Sequence, residues 1–130
     1  MTHLGLSLDE ELCEKNFLEL VRVSNKHNTG ITIDMENSIY TTKTLEFFPK
    51  KGLSIYEGVG AVIQAYLHRS CDDLIMLDSS KLNLRICKGI YNEPPEIAIQ
   101  DRYAINNNFF KIGFKRYLME EVMHALQLTI

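Results

Sequence analysis

The sequence predicts an α+β fold in which three helices pack on a mostly antiparallel sheet of about five strands, in the order α-β-β-α-β-β-β-α. Two stretches with apolar residues at helical spacing lie at the ends of the chain and a third lies near its middle. Between them run short segments that alternate apolar and polar residues or are rich in β-branched and aromatic side chains. Strands in runs, with few helices between them, favour an antiparallel arrangement.

Ser7 and Glu10 form a capping box, in which each side chain satisfies a backbone donor at a helix start. Leu12, Phe17, Leu20, Val21 and Ser24 follow at helical spacing, and Gly30 ends the segment, so the first helix is expected over 8–27. Ile31, Ile33 and Met35 alternate with Thr32 and Asp34 as a short strand. After a turn at 36–38, the β-branched and aromatic run 39–48 reads as its hairpin partner. Pro49 to Gly52 breaks that run.

A second capping box, Ser54 and Glu57, precedes Ile55, Val59, Val62, Ile63 and Tyr66, which predicts a helix over 55–69. Gly58 and Gly60 would then be sites of close helix packing rather than a phosphate loop. Position 63 is Ile, and no Gly-Lys-Ser/Thr follows. Leu74–Leu77 reads as a buried strand, and Leu82 to Cys87 alternates clearly as another. A loop with Pro94-Pro95 leads to a strand over 97–105, and Asn106 to Asn108 break it. Phe110, Phe114, Tyr117, Leu118, Val122 and Ala125 make the stripe of a last helix over 109–127.

The chain has 130 residues, which fits one globular domain over 1–130. Hydrophobic residues make up 45% and charged residues 24%, which excludes a disordered or collagen-like chain. A net charge of −3 argues against a surface devoted wholly to nucleic acid. Cys13, Cys71 and Cys87 contain no CxxC pair, and an odd count suits a reducing compartment. No signal sequence, spanning segment or lipidation box is visible, so a cytoplasmic location is expected, as monomer or homodimer, without a membrane partner.

Catalytic signals are absent from the local sequence. Glu120, Glu121 and His124 make a single ExxH where a carboxylate-bridged metal pair needs two. His68, Cys71, Asp72 and Asp73 lack the paired spacing of structural zinc. There is no GxSxG elbow, so neither a metal, a cofactor nor an enzymatic activity is expected.

Two surfaces attract attention instead. The acidic residues Glu11 and Glu14, Asp72, Asp73 and Asp78, and Glu93 and Glu96 would suit docking of a basic protein, where complementary charge speeds association. The leading expectation is therefore a small cytosolic inhibitor of the immunity-protein type, which neutralises a basic, nuclease-like toxin by surface contact. The segment with Phe109, Lys111, Lys115, Arg116 and Tyr117 interleaves cations with aromatics, as single-stranded nucleic-acid surfaces do. A nucleic-acid module is the second expectation, and a small enzyme or ligand-binding domain with a pocket assembled from distant residues is the third.

Overall fold

The computed structural model describes residues 1–50, 58–77 and 82–127, with side chains at all of these except 49, 50 and 121–127. Elements alternate strictly: α1 (Glu10–Lys26), β1 (Ile31–Ile33), α2 (Ser38–Lys50), β2 (Val59–Gln64), α3 (Ser70–Met76), β3 (Asn83–Cys87) and α4 (Arg102–Gln127), after a 3-10 turn at Thr2–Leu4. Among the described residues the sheet has three strands in the order β1-β2-β3, and both pairings are parallel. The expected five-stranded antiparallel sheet with three helices is therefore wrong. Strands that follow one another in space as in sequence, each followed by a helix, are the succession found in βα barrels.

Three segments account for the difference. Residues 39–48 are rich in Thr and aromatics, yet Thr41, Thr44, Leu45 and Phe48 are buried at positions i, i+3, i+4 and i+7. That stripe outweighs strand propensity, and α2 forms where a hairpin strand was expected. Residues 59–64 are buried without exception. A strand covered on both faces shows no alternation, so its apolar run imitates a helical stripe. The expected capping box at Ser54 and Glu57 lies outside the described residues.

Gly60 belongs to the strand. A Cβ there would lie 2.4 Å from the Asn83 carbonyl oxygen, so glycine permits the approach of neighbouring backbone. The third segment, Leu74–Leu77, is the end of α3, whose Ser70, Asp73 and Leu74 face inward with Leu77 following.

The expected strand over 97–105 is reduced to a single antiparallel bridge between Leu67 and Ala98. Asp101 accepts the Ala104 N–H at 2.8 Å and starts α4 there, before the three asparagines that were expected to break the chain. Asn108 instead donates to the Ala65 carbonyl at 2.6 Å and to Ser70 Oγ at 3.1 Å, tying α4 to the end of β2 and the start of α3. At the other end of the chain, α1 is capped by Asp9, which accepts the Leu12 N–H at 2.7 Å, rather than by Ser7.

The register sorts side chains onto two faces, because paired residues of parallel strands point the same way. Ile31, Ile33, Val59, Ala61, Ile63, Leu84 and Ile86 share the apolar face and join the core with Phe17 of α1, Leu45 and Phe48 of α2, Leu74 of α3 and Ile112 of α4. Thr32, Gly60, Val62, Gln64, Asn83, Arg85 and Cys87 share the other face. That second face is largely polar, and its outer strands expose Thr32, Asn83 and Arg85.

Candidate functional site at the C-terminal edge of the sheet

Parallel strands end together, so the residues that follow them meet at one edge. Here these are Asp34-Met35-Glu36 after β1, Ala65-Tyr66-Leu67 after β2 and Lys88-Gly89-Ile90-Tyr91 after β3. An open cleft of about 300 Å³ at this edge is lined by Asp34 and Met35, by Gln64, Arg85 and Cys87, and by Lys88 to Tyr91. In parallel α/β folds, ligands bind at this edge.

The charges in the cleft are opposed. Arg85 Nη2 pairs with Asp34 Oδ1, a contact that joins β3 to the end of β1 across the central strand. Gln64 Nε2 donates to the Glu36 carbonyl at 3.0 Å, and the Tyr91 hydroxyl reaches the Met35 carbonyl at 3.4 Å. The Lys88 ammonium lies 6.0 Å from the Phe109 ring centroid. Burial pushes the Cys87 thiol up, against the pull of the Gly89 N–H and Arg85. The thiol is therefore not an activated nucleophile.

Tyr66 lies beneath the edge, 6% exposed. Its buried hydroxyl has no hydrogen-bond partner among the described residues, although the Tyr91 N–H faces it without a well-formed bond. Burial first, and the Glu93 carboxylate second, push its pKa up to about 12. The neutral phenol is favoured in the fold, so this contribution to stability is complete below the ordinary value of 10.0 and is lost as pH rises to about 12. Tyr66→Phe should remove that loss, leaving the variant ~2 kcal/mol less sensitive to alkali over the interval. Urea midpoints of both proteins between pH 9 and pH 12 check this. Parallel curves would show that Tyr66 ionises freely.

The acidic residues expected to form a docking surface are spread over three elements. Glu11 is exposed and Glu14 half-buried on α1, and Asp72 is exposed on α3. Asp73 is buried and paired with Arg69 at 2.8 Å, and burial still holds its pKa above the usual carboxylate value. Asp78 lies outside the described residues. Glu96 is exposed, whereas Glu93 accepts the Ser38 N–H at 2.6 Å and its hydroxyl at 2.7 Å.

In the basic–aromatic segment, Lys111 and Tyr117 are exposed and Lys115 is half-buried. Arg116 donates to the Leu82 carbonyl at 3.0 Å and pairs with Glu120 at 2.7 Å. Phe109 packs edge-on to Phe110, with ring centroids 5.8 Å apart. Among the described residues no cluster of three metal-binding side chains occurs, and no helix is long and apolar enough to cross a membrane.

Asp34, Gln64, Arg85, Lys88 and Tyr91 were not among the residues singled out from sequence. Their signal is positional: Asp34, Gln64, Lys88 and Tyr91 stand at or beyond the end of a strand, and Arg85 lies in the middle of β3 on the face it shares with Gln64. It was hidden once β2 was read as a helix.

A polar edge on successive parallel βα units defines the class: an α/β protein with an open, polar cleft at the C-terminal edge of its sheet. The chain belongs to the proline dehydrogenase family, whose model matches residues 2–100. It is 38% identical over 118 residues to proline dehydrogenase 2 of Bacillus subtilis (strain 168), covering 91% of this chain and 39% of that protein. It is 33% identical over 109 residues to proline dehydrogenase 1 of the same organism, covering 84% of this chain and 36% of that one. With proline dehydrogenase of Deinococcus radiodurans it shares 33% identity over 107 residues, 82% of this chain and 34% of the relative.

The chain thus spans less than two fifths of the length of the curated relatives it matches. Membership in a family of enzymes overturns the expectation of a non-enzymatic immunity-type inhibitor, and with it the basic toxin expected as partner. Acidic balance and a missing local motif are shared by many enzymes whose sites are assembled from distant strand ends.

Proposed function

We propose that this chain supplies part of a proline-dehydrogenating site, and that the C-terminal edge of its sheet holds a zwitterionic amino acid. The observation that carries this is the exposed Asp34–Arg85 pair spanning the central strand, with Lys88 and Gln64 lining the same cleft. An amino acid brings one anion and one cation. Arg85 and Lys88 suit its carboxylate, Arg85 by a two-pronged contact, and Asp34 suits its ammonium. Binding exchanges one internal ion pair for two with the ligand.

Dehydrogenation of proline makes a ring C–N bond into C=N, with a hydride leaving carbon and a proton leaving nitrogen. A flavin or nicotinamide supplies the two-electron acceptor when bound. The cleft fits such a group in chemistry, since Gln64 and the Tyr91 hydroxyl offer donors for ring carbonyls and nitrogens beside the cations assigned to the substrate. These residues would orient substrate and acceptor; the rest of a family-length protein would complete the enclosure. A cytoplasmic location belongs to the same proposal, supported by three cysteines none of which is in a disulfide.

The test is a titration of the isotope-labelled chain with L-proline, followed by amide resonances. Shifts confined to 34–36, 64–66 and 85–91, and absent with cyclopentanecarboxylate, are expected. No shift at those amides at saturating L-proline would overturn the reading.

A further inference from the structure

The chain from Lys88 to Asp101 connects β3 to α4 without a helix or strand of its own. Both ends of this connection are tied to the end of β2. Upstream, the Ala65 N–H donates to the Cys87 carbonyl at 2.7 Å and the Tyr66 N–H to the Lys88 carbonyl at 2.9 Å. Downstream, the His68 N–H donates to the Ile97 carbonyl at 3.1 Å, the Ile99 N–H donates to the Tyr66 carbonyl at 2.8 Å, and His68 Nε2 lies 2.8 Å from the Pro95 carbonyl oxygen.

Between these anchors lies the stretch that lines the cleft. Among the described residues, no main-chain N–H from Gly89 to Glu93 donates to another main-chain group. Side chains hold this stretch instead. The Tyr91 hydroxyl contact to Met35 is long, at 3.4 Å, and Gln100 Nε2 donates to the Glu93 carbonyl at 3.1 Å. Against these, the Glu93 carboxylate takes two short bonds from Ser38, at 2.6 Å from its N–H and 2.7 Å from its hydroxyl.

We propose that Glu93 is a positioning residue, a latch that fastens the loop after β3 to the first turn of α2 and so holds Lys88, Gly89 and Tyr91 at the ligand edge. The role rests on the amino-acid-binding reading of that edge. Charge-assisted bonds are about twice as strong as neutral ones. The Ser38 N–H is a helix-terminal donor without an intrahelical partner, so the carboxylate satisfies a group that would otherwise need water. Glu93 reaches α2 from a point 55 residues away in sequence. It does not touch the cleft-lining charges itself, and it acts through the loop it fixes.

The experiment is amide hydrogen exchange on the full chain and on Glu93→Ala, Glu93→Gln and Ser38→Ala, with an L-proline titration of each. Glu93→Ala should speed exchange roughly tenfold at the amides of residues 38 and 66, which are bonded to Glu93 and to the Lys88 carbonyl, while leaving β2 unchanged. Glu93→Gln keeps one acceptor oxygen and should restore most of the protection. Ser38→Ala removes only the hydroxyl bond and should give a smaller increase, and it serves should Glu93→Ala fail to fold. L-proline affinity should fall roughly fivefold in Glu93→Ala and recover in Glu93→Gln.

Unchanged exchange at residues 38 and 66 in both alanine variants would overturn the latch. Faster exchange with unchanged L-proline affinity would overturn the positioning role. A wild-type chain that binds no L-proline would instead overturn the reading of the edge, while exchange at residues 38 and 66 would still decide whether the latch exists.

Discussion

Gly89→Ala is expected to destabilise the fold by about 3 kcal/mol and to displace the loop that lines the cleft. Two independent costs combine at this position. The backbone of Gly89 has φ of +104°, in the region that side chains with a Cβ rarely adopt. A Cβ built there would lie 2.1 Å from Tyr66 Cδ1 and 2.4 Å from Cε1. The ring cannot yield easily, because Tyr66 is buried beneath the edge and its backbone is bonded on both sides, to Lys88 and to Ile99. The steric part of the cost belongs to the pair, so it is separable. In a Tyr66→Ala background the same substitution should cost only the backbone strain of about 1–2 kcal/mol. Urea midpoints for the four proteins of this cycle measure both parts. A Gly89→Ala protein with the wild-type midpoint would mean that the loop has room to move away from Tyr66.

The parts of the fold that were legible in sequence are those whose patterns had one interpretation. Phe17, Val21 and Ser24 of the expected stripe are buried on α1, with acids at its start, although Leu12 and Leu20 are exposed and Cys13 is buried instead, and β3 alternates cleanly because one of its faces is polar. A helix near the end of the chain was legible too, but not its buried face: Phe110, Phe114, Tyr117 and Leu118 of the expected stripe are exposed and Ile112 enters the core, and the start at Arg102 was missed because the asparagines looked like a break. The failures have a common cause, which is the parallel sheet itself. Its central strand is buried on both faces, so Val59 to Gln64 carries no period-2 signal, and the preceding residues supplied a false helical one. Once β2 was read as a helix, α2 was forced into a hairpin partner for β1, and the alternation that marks an α/β protein disappeared.

The site was lost for a related reason. Asp34 and Arg85 are 51 residues apart and meet because β1 and β3 flank the same strand in register. No local motif encodes that meeting. The conspicuous local features drew attention elsewhere. The acids are distributed over separate elements, and Arg116, from the basic run, is committed to the Leu82 carbonyl and Glu120. Glu93 was noticed in sequence for its charge, and the structure gives that charge a different neighbour, the first turn of α2.

Arg85→Met should separate stability from binding. The Arg85 and Asp34 side chains are 55% and 76% exposed, and an ion pair so open to water contributes little to folding. The urea midpoint should therefore shift by less than about 0.5 kcal/mol, because the stem of Met covers much of the same surface. L-proline affinity should fall roughly tenfold or more, since the carboxylate loses its planar donor and Asp34 remains as an uncompensated negative charge at the same edge. Arg85→Lys keeps the charge without the fork, and it should recover part of the affinity. The two proteins distinguish charge from geometry: equal losses would assign the effect to the two-pronged contact, and full recovery with Lys would assign it to charge alone. A wild-type affinity in Arg85→Met would remove Arg85 from the site and leave Lys88 as the cation to test. The exposure that makes this pair nearly irrelevant to the fold is what leaves it free to exchange partners with a ligand.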